Sequence, residues 1–311
     1  MRDPTYWKQY PIETSLAEVE HELHVSTFAS GGESFDLICF GRDKSAASIL
    51  ISPGSGGHAY VFAELGYHMH ARGYNVFIMP AHGGRTIREL VDRHAAALEH
   101  IAEVCNDRTG IFGEGLGGYV AFYVALAHGR LRSLVCQNAP AILTEPAWRD
   151  AILRGRGAAR RRRILPIARL VAKVMPGLKL PISIYLDYRE LVDPREANRR
   201  IEEPMVAAYL RDPDFVLRYP LRAILSLLET PPPNPLAELA IPTMFLVPVR
   251  GIVPDYFRDL FERLPPIDKK LVEVDGGVFW MVSHPSEAAS VICEWFDTTL
   301  HETERRESHG R

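Results

Sequence analysis

Thr109-Gly110-Ile111-Phe112-Gly113-Glu114-Gly115-Leu116-Gly117-Gly118 is the stretch that decides how the rest of the chain is read. A short apolar run ends in a glycine-rich turn, and Leu116–Ala127 then continues as an apolar segment of helical length. That is a strand, a sharp turn and a helix in immediate succession. Glycine at Gly115 suits a sharp turn, since it tolerates backbone conformations that strain other residues.

Outward from this turn, apolar runs bounded by turn residues alternate with segments of helical period, the pattern of a mainly parallel sheet flanked by helices. Strands are expected at Glu22–Phe28, Phe35–Phe40, Ser48–Ser52, Asn75–Met79, Thr109–Phe112, Leu131–Gln137, Thr243–Val247 and Lys270–Val274. Helices are expected near Val61–Arg72, Ile87–Val104, Leu116–Ala127, Asp255–Leu264 and Ser286–Leu300. The first two or three strands leave no room for intervening helices, which predicts an antiparallel arrangement at one edge. Residues 141–239 interrupt the alternation with helical stretches, prolines and an arginine run, and end at Thr230-Pro231-Pro232-Pro233-Asn234-Pro235, a stiff connector. The expected organisation is an α/β core of residues 1–140 and 240–311 with a mostly helical lid, 141–239, inserted into it.

Composition sets bounds on this reading. The 311 residues are 47% hydrophobic and 24% charged, enough apolar material for a sizeable core. A net charge of −3 gives no global attraction for nucleic acid. Cys39, Cys105, Cys136 and Cys293 are far apart, without metal spacing, and Cys39 and Cys136, in apolar strand-like runs, read as small buried hydrophobes. No metal or cofactor is expected. The first residues carry no signal-peptide pattern and no apolar stretch has spanning length, so a cytoplasmic protein is expected.

The strand–turn–helix stretch fits the G-x-S-x-G nucleophile elbow, and here the chain resembles the α/β-hydrolases. It is most similar to their lidded lipase and esterase branch, which includes monoacylglycerol lipases and serine aminopeptidases. Glu114 fits the Gly-Glu-Ser-x-Gly-Gly elbow of many such proteins, whereas Gly115 stands where they carry the nucleophilic serine. Pro53-Gly54-Ser55-Gly56-Gly57-His58 resembles the family's His-Gly-x-Gly segment, with Pro53 in place of the histidine. The resemblance implies oxyanion-hole amides at Ser55 and Leu116; a glycine-rich turn without that role is the alternative. Pro80-Ala81-His82-Gly83-Gly84-Arg85 is similar to the Asp-x-x-Gly-His-Gly loop in a looser register.

The family's acid follows the strand at Thr243–Val247, and its pattern through Arg250-Gly251-Ile252-Val253-Pro254 puts Gly251 on the aspartate. Its base follows the last strand, where Asp275-Gly276-Gly277-Val278-Phe279 puts Val278 on the histidine. Gly115, Gly251 and Val278 can neither attack, orient nor accept a proton. Asp255, Asp275 and His284 are the nearest residues that could stand in for a displaced acid or base.

Ile164–Met175 combines apolar residues at helical spacing with cations, directly after Arg160-Arg161-Arg162-Arg163. It resembles the cap helix of monoacylglycerol lipases, which covers an acyl channel and rests on membrane surfaces. The arginines would add attraction to anionic headgroups. The alternative is a solvated charged stretch and a helix docked on the core.

Three functions remain open on these residues. The first is a non-hydrolytic binder of a hydrophobic or amphipathic small molecule, acting as carrier, sensor or regulatory subunit. The second is a triad-independent lyase, isomerase or cyclase drawing on Ser55, His58, His82, Arg85 and Glu114. The third is hydrolysis through displaced groups.

Overall fold

A computed structural model describes residues 10–127, 129–152, 158–181, 197–198, 203–251 and 253–308. Its centre is an eight-stranded sheet. The strands in chain order are β1 (Leu23–Ser30), β2 (Glu33–Phe40), β3 (Ser48–Ser52), β4 (Asn75–Ile78), β5 (Thr109–Glu114) and β6 (Leu131–Gln137). A short β7 (Lys179–Pro181) and β8 (Arg218–Pro220) form a separate antiparallel pair. The main sheet closes with β9 (Thr243–Pro248) and β10 (Lys269–Val274), and its order is β1-β2-β4-β3-β5-β6-β9-β10.

β1 and β2 form the expected antiparallel edge hairpin. Its two-residue turn, Gly31-Gly32, has φ +58 and +80, the backbone that lets a tight hairpin follow the strands' twist. β3 corrects the expectation that it too lies at the edge. The crossover Ala59–His70 carries the chain on to β4, which pairs with β2 and leaves β3 parallel between β4 and β5. The reason lies in composition: Ser48-Ile49-Leu50-Ile51-Ser52 is buried along its whole length, as an interior parallel strand must be.

The helices are α1 (Leu16–Glu22), α2 (Ala63–His70), α3 (Ile87–Val104) and α4 (Leu116–Ala127). After β6 come α5 (Pro146–Ile152), α6 (Ala158–Val174), α7 (Met205–Arg211) and α8 (Leu221–Glu229). The last are α9 (Pro254–Glu262), α10 (Trp280–Ser283) and α11 (Pro285–Ser308). Thr86 and Glu89 start α3 with reciprocal side-chain to backbone bonds, which satisfy amides that a helix start leaves without partners. α4 is buried on nearly every side, consistent with its nearly all-apolar sequence, and packs against β5, β6 and α3.

Between β6 and β9 the described elements are mostly helical, and α6 packs on α8. Arg169 pairs with Glu229 across these helices, and the amide of Leu221 donates to Leu178 O. The proline connector is pinned to α4 at both ends: Tyr123 donates to Thr230 O at 2.9 Å and Asn234 to Leu126 O at 2.7 Å. Arg154 and Arg156 of the arginine run lie outside the described residues. No helix among the described residues is long and apolar enough to cross a membrane. All four cysteines are buried and unpaired.

Candidate functional site

β5 runs two residues further than its apolar pattern suggests, because Gly113 and Glu114 pair with Cys136 and Gln137 of β6. The chain then reverses at Gly115, with φ +51, and α4 begins at once. Two glycines of this turn, two residues apart, face opposite circumstances. A Cβ on Gly115 would find its nearest neighbour, Gly54 Cα, at 3.8 Å, an ordinary contact. A Cβ on Gly117 would sit 2.5 Å from Pro53 O and closer still to Ser52 O. The helix start is therefore pressed against the end of β3, while the apex of the turn has room for a side chain it does not carry.

The loop after β3 lies over this apex. Glu114 is buried with its carboxylate against Gly54, in the space a side chain there would need. Ser55 belongs to this loop and Leu116 opens α4, whose first amides have no acceptor within the helix. The loop is covered in turn by the segment before β8. The amide of Gly56 donates to the Tyr219 hydroxyl at 2.7 Å, that of Val216 donates to Gly56 O, and the edge of Phe215 fills the place of a Gly56 side chain. Burial pushes the Tyr219 hydroxyl up to about 12.

His58, at the end of the same loop, meets a partner that sequence reading misses. Its Nε2 is 2.8 Å from Asp212 Oδ2, and the Tyr10 hydroxyl donates to the same oxygen. The amide of Asp214 donates to the other oxygen at 2.8 Å. Burial pushes the Asp212 carboxyl up, but the bonds from His58, Tyr10 and Asp214 outweigh it and hold it below the usual aspartate value. The local signal was Asp212-Pro213-Asp214, a side-chain turn; its use as a clamp on a histidine 154 positions earlier was not local. An aromatic wall adjoins this pair. Tyr209 stacks on Tyr10 at 5.7 Å and meets the tilted rings of Phe279 at 4.3 Å and Phe215 at 5.0 Å between ring centroids.

His82 and Arg85 stand apart from this pair. His82 is buried, donates from Nε2 to Pro53 O at 2.6 Å, and packs 5.7 Å from the His94 ring. Burial, with His94 and Arg93 adding to it, holds its pKa well below the ordinary histidine value. His94 donates from Nδ1 to Leu90 O and takes the Ser52 hydroxyl on Nε2, and burial holds it at about 4. Arg85 pairs with Glu33 and lies 5.1 Å from the Phe35 ring centroid, so its guanidinium serves the hairpin side of the sheet.

The two other stations that resemblance assigns to a triad are locked by amides. Asn138, buried just past β6 with φ +50, donates from Nδ2 to Val278 O at 3.0 Å. Gln137 donates to the same carbonyl at 3.2 Å. A Cβ on Gly251 would lie 2.5 Å from Asn138 Oδ1, so the asparagine fills the space an aspartate there would occupy. Asp255 and Asp275 are exposed and pair with Arg258 and Arg250. His284 caps α10 and contacts the Ser283 hydroxyl at 3.0 Å, but that hydroxyl also bonds backbone carbonyls of Phe279 and Trp280. No group of three His, Cys, Asp or Glu side chains among the described residues is arranged to hold a metal ion.

A family model described as serine aminopeptidase, S33, matches residues 43–278. The fold is similar to a soluble variant of monoglyceride lipase from Saccharomyces cerevisiae in complex with a substrate analog. That likeness has a TM-score of 0.68 and 15% identity, covering 93% of this chain and 98% of the other. It is also similar to the Paleococcus ferrophilus monoacylglycerol lipase, with TM-score 0.63, 18% identity and coverage of 89% and 99%. The α/β hydrolase GrgF from Penicillium sp. sh18 gives TM-score 0.64, 13% identity and coverage of 89% and 99%. No curated protein sequence matches the chain at a significant level.

Proposed function

Because this chain belongs to the serine aminopeptidase (S33) family of the α/β-hydrolase superfamily, we propose that it is a non-hydrolytic member that binds a hydrophobic or amphipathic small molecule. The observation that carries this reading is the state of the acid station. Gly251 has no carboxylate, and the Asn138 amide that occupies its space is committed to Val278 O, at the station of the base. Together with the bare apex at Gly115, this leaves a scaffold with no attacking alcohol, no proton acceptor and no orienting acid at the stations that the fold uses for them. The aromatic wall of Tyr10, Tyr209, Phe215 and Phe279 supports an apolar ligand, since such rings supply contact area with few polar demands. The yeast monoglyceride lipase structure holds a substrate analog, which agrees with a ligand of that general character.

Residues 141–239 act in this proposal as the lid, and α6 is its outer surface. Ile167, Leu170, Val174 and Met175 are all more than half exposed, with Arg163 and Lys173 exposed on the same helix. This combination fits peripheral contact with an anionic membrane surface. Sedimentation with anionic vesicles should carry the protein down, and Leu170→Asp should release it; equal sedimentation of both would remove the membrane contact.

The ligand-binding reading is tested with the environment-sensitive probe N-phenyl-1-naphthylamine. Saturable fluorescence enhancement, reversed by a long-chain alkyl competitor, is the expected result. Absence of saturable binding by the folded protein would overturn it. A second reading, acid–base catalysis without a nucleophile, is favoured by the Asp212–His58 pair, because a carboxylate orients an imidazole for proton transfer. That version requires molecules recovered from the protein to be chemically altered on incubation, and to stay unaltered with His58→Gln.

A further inference from the structure

We propose that His58, oriented by Asp212, is the hydrogen-bond acceptor that recognises a neutral hydroxyl at the polar end of the bound molecule. This rests on the ligand-binding reading above and adds the class of headgroup.

The tautomer follows from the partner. A carboxylate can only accept, so His58 Nε2 must carry its hydrogen toward Asp212 Oδ2 at 2.8 Å. In the neutral ring Nδ1 is then an acceptor. That atom is buried and has no hydrogen-bond partner, in a residue only 8% exposed. A buried acceptor left unmet forfeits the bond it would make in water, so a donor supplied by a ligand gains there what it could not gain at the surface. The ring cannot turn to find another partner. Asp212 holds one end, and the rings of Tyr10 and Tyr60 flank it edge-on at 5.6 and 6.1 Å.

Charge narrows the class. Asp212 touches the histidine directly, and Glu114 is buried against Gly54 in the same loop. Asp214 is bonded to Asp212 by its amide. The Asp212 carboxylate beside the ring would repel an anionic headgroup such as that of a fatty acid at close range in a poorly screened setting. An alcohol presents a hydrogen to Nδ1 at no such cost. Of the other buried histidines, His94 has both nitrogens engaged; His82 also leaves its Nδ1 without a partner, but its ring packs against His94 and lies apart from the aromatic wall.

The test uses three probes of one chain length: decan-1-ol, 1-methoxydecane and decanoate. Displacement of N-phenyl-1-naphthylamine from the wild-type protein should rank the alcohol about tenfold tighter than the ether, the value of one buried hydrogen bond, with decanoate weakest. His58→Phe keeps an aromatic ring at the position, slightly larger than the imidazole, and removes the acceptor; it should still bind the ether and lose the preference for the alcohol. Binding of the ether also reports that the variant is folded. Should the variant not fold, the nitrogen-15 spectrum of the wild-type histidine rings takes its place: His58 Nδ1 should shift with decan-1-ol and not with 1-methoxydecane. Equal affinity for alcohol and ether, an unmoved Nδ1 resonance, or tight decanoate binding would overturn the proposal while leaving ligand binding intact. Failure of all three probes to bind would remove the underlying reading as well.

Discussion

Gly117→Ala should lower the unfolding free energy by about 3 kcal/mol or more, whereas Gly115→Ser, two residues away, should cost about 1 kcal/mol. The first substitution drives a methyl group into Ser52 O and Pro53 O, backbone atoms at the end of an interior strand. Ser52 cannot step aside without disturbing its pairing with Gly113 of β5, and Pro53 O is held by His82 Nε2. The second adds its Cβ where the nearest atom is 3.8 Å away. It meets only the cost of holding an L-residue at φ +51. Urea unfolding of the two variants checks this. Equal midpoints would mean that the helix start and the β3 loop do not interlock, and that the empty apex is no more permissive than its surroundings.

The second large effect is on acid stability. His94 has its folded pKa held at about 4 by burial, against an ordinary value near 6.5 in the unfolded chain. The unfolded chain therefore binds the extra proton first. The stability this group contributes is fully present above pH 6.5, declines as pH falls toward 4, and is exhausted below it. Two and a half pH units correspond to about 3 kcal/mol. His82 acts in the same direction, since its folded pKa is also depressed. Asp212 behaves as a depressed carboxyl: its contribution persists to near pH 4 and is lost only as pH falls through its lowered folded value. Denaturant unfolding at pH 7.5 and pH 4.5 should show the loss, and His94→Gln, which cannot titrate, should flatten it. An unchanged slope in that variant would place the acid sensitivity elsewhere.

The parts of the molecule that were legible in sequence are those set by local pattern. Strand β6 and helices α3 and α4 fall where their apolar spacing puts them, and the turn at Gly115 follows from glycine placement. The interior position of β3 was less accessible, because strand order depends on which crossover reaches which neighbour. The site divides in the same way. The glycine-rich turns that hold Ser55 and Gly115 are visible in the sequence, but Asp212 reaches His58 only through the fold of the segment between β6 and β9. Asn138 gave little sign of itself; its left-handed backbone and its place beside Gly251 are tertiary facts. Tyr10 was unreadable for a similar reason. It is brought over the site because the amides of Ile12, Glu13 and Thr14 all donate to the Glu64 carboxylate on α2.

The claim that the hydrolytic machinery is gone is tested most directly by incubating the purified protein with a fluorophosphonate probe and with p-nitrophenyl butyrate and decanoate. The account predicts no covalent label on any serine and ester hydrolysis at the rate of buffer alone. Stoichiometric labelling of one serine, with turnover that survives purification and disappears when that serine is replaced by alanine, would contradict it.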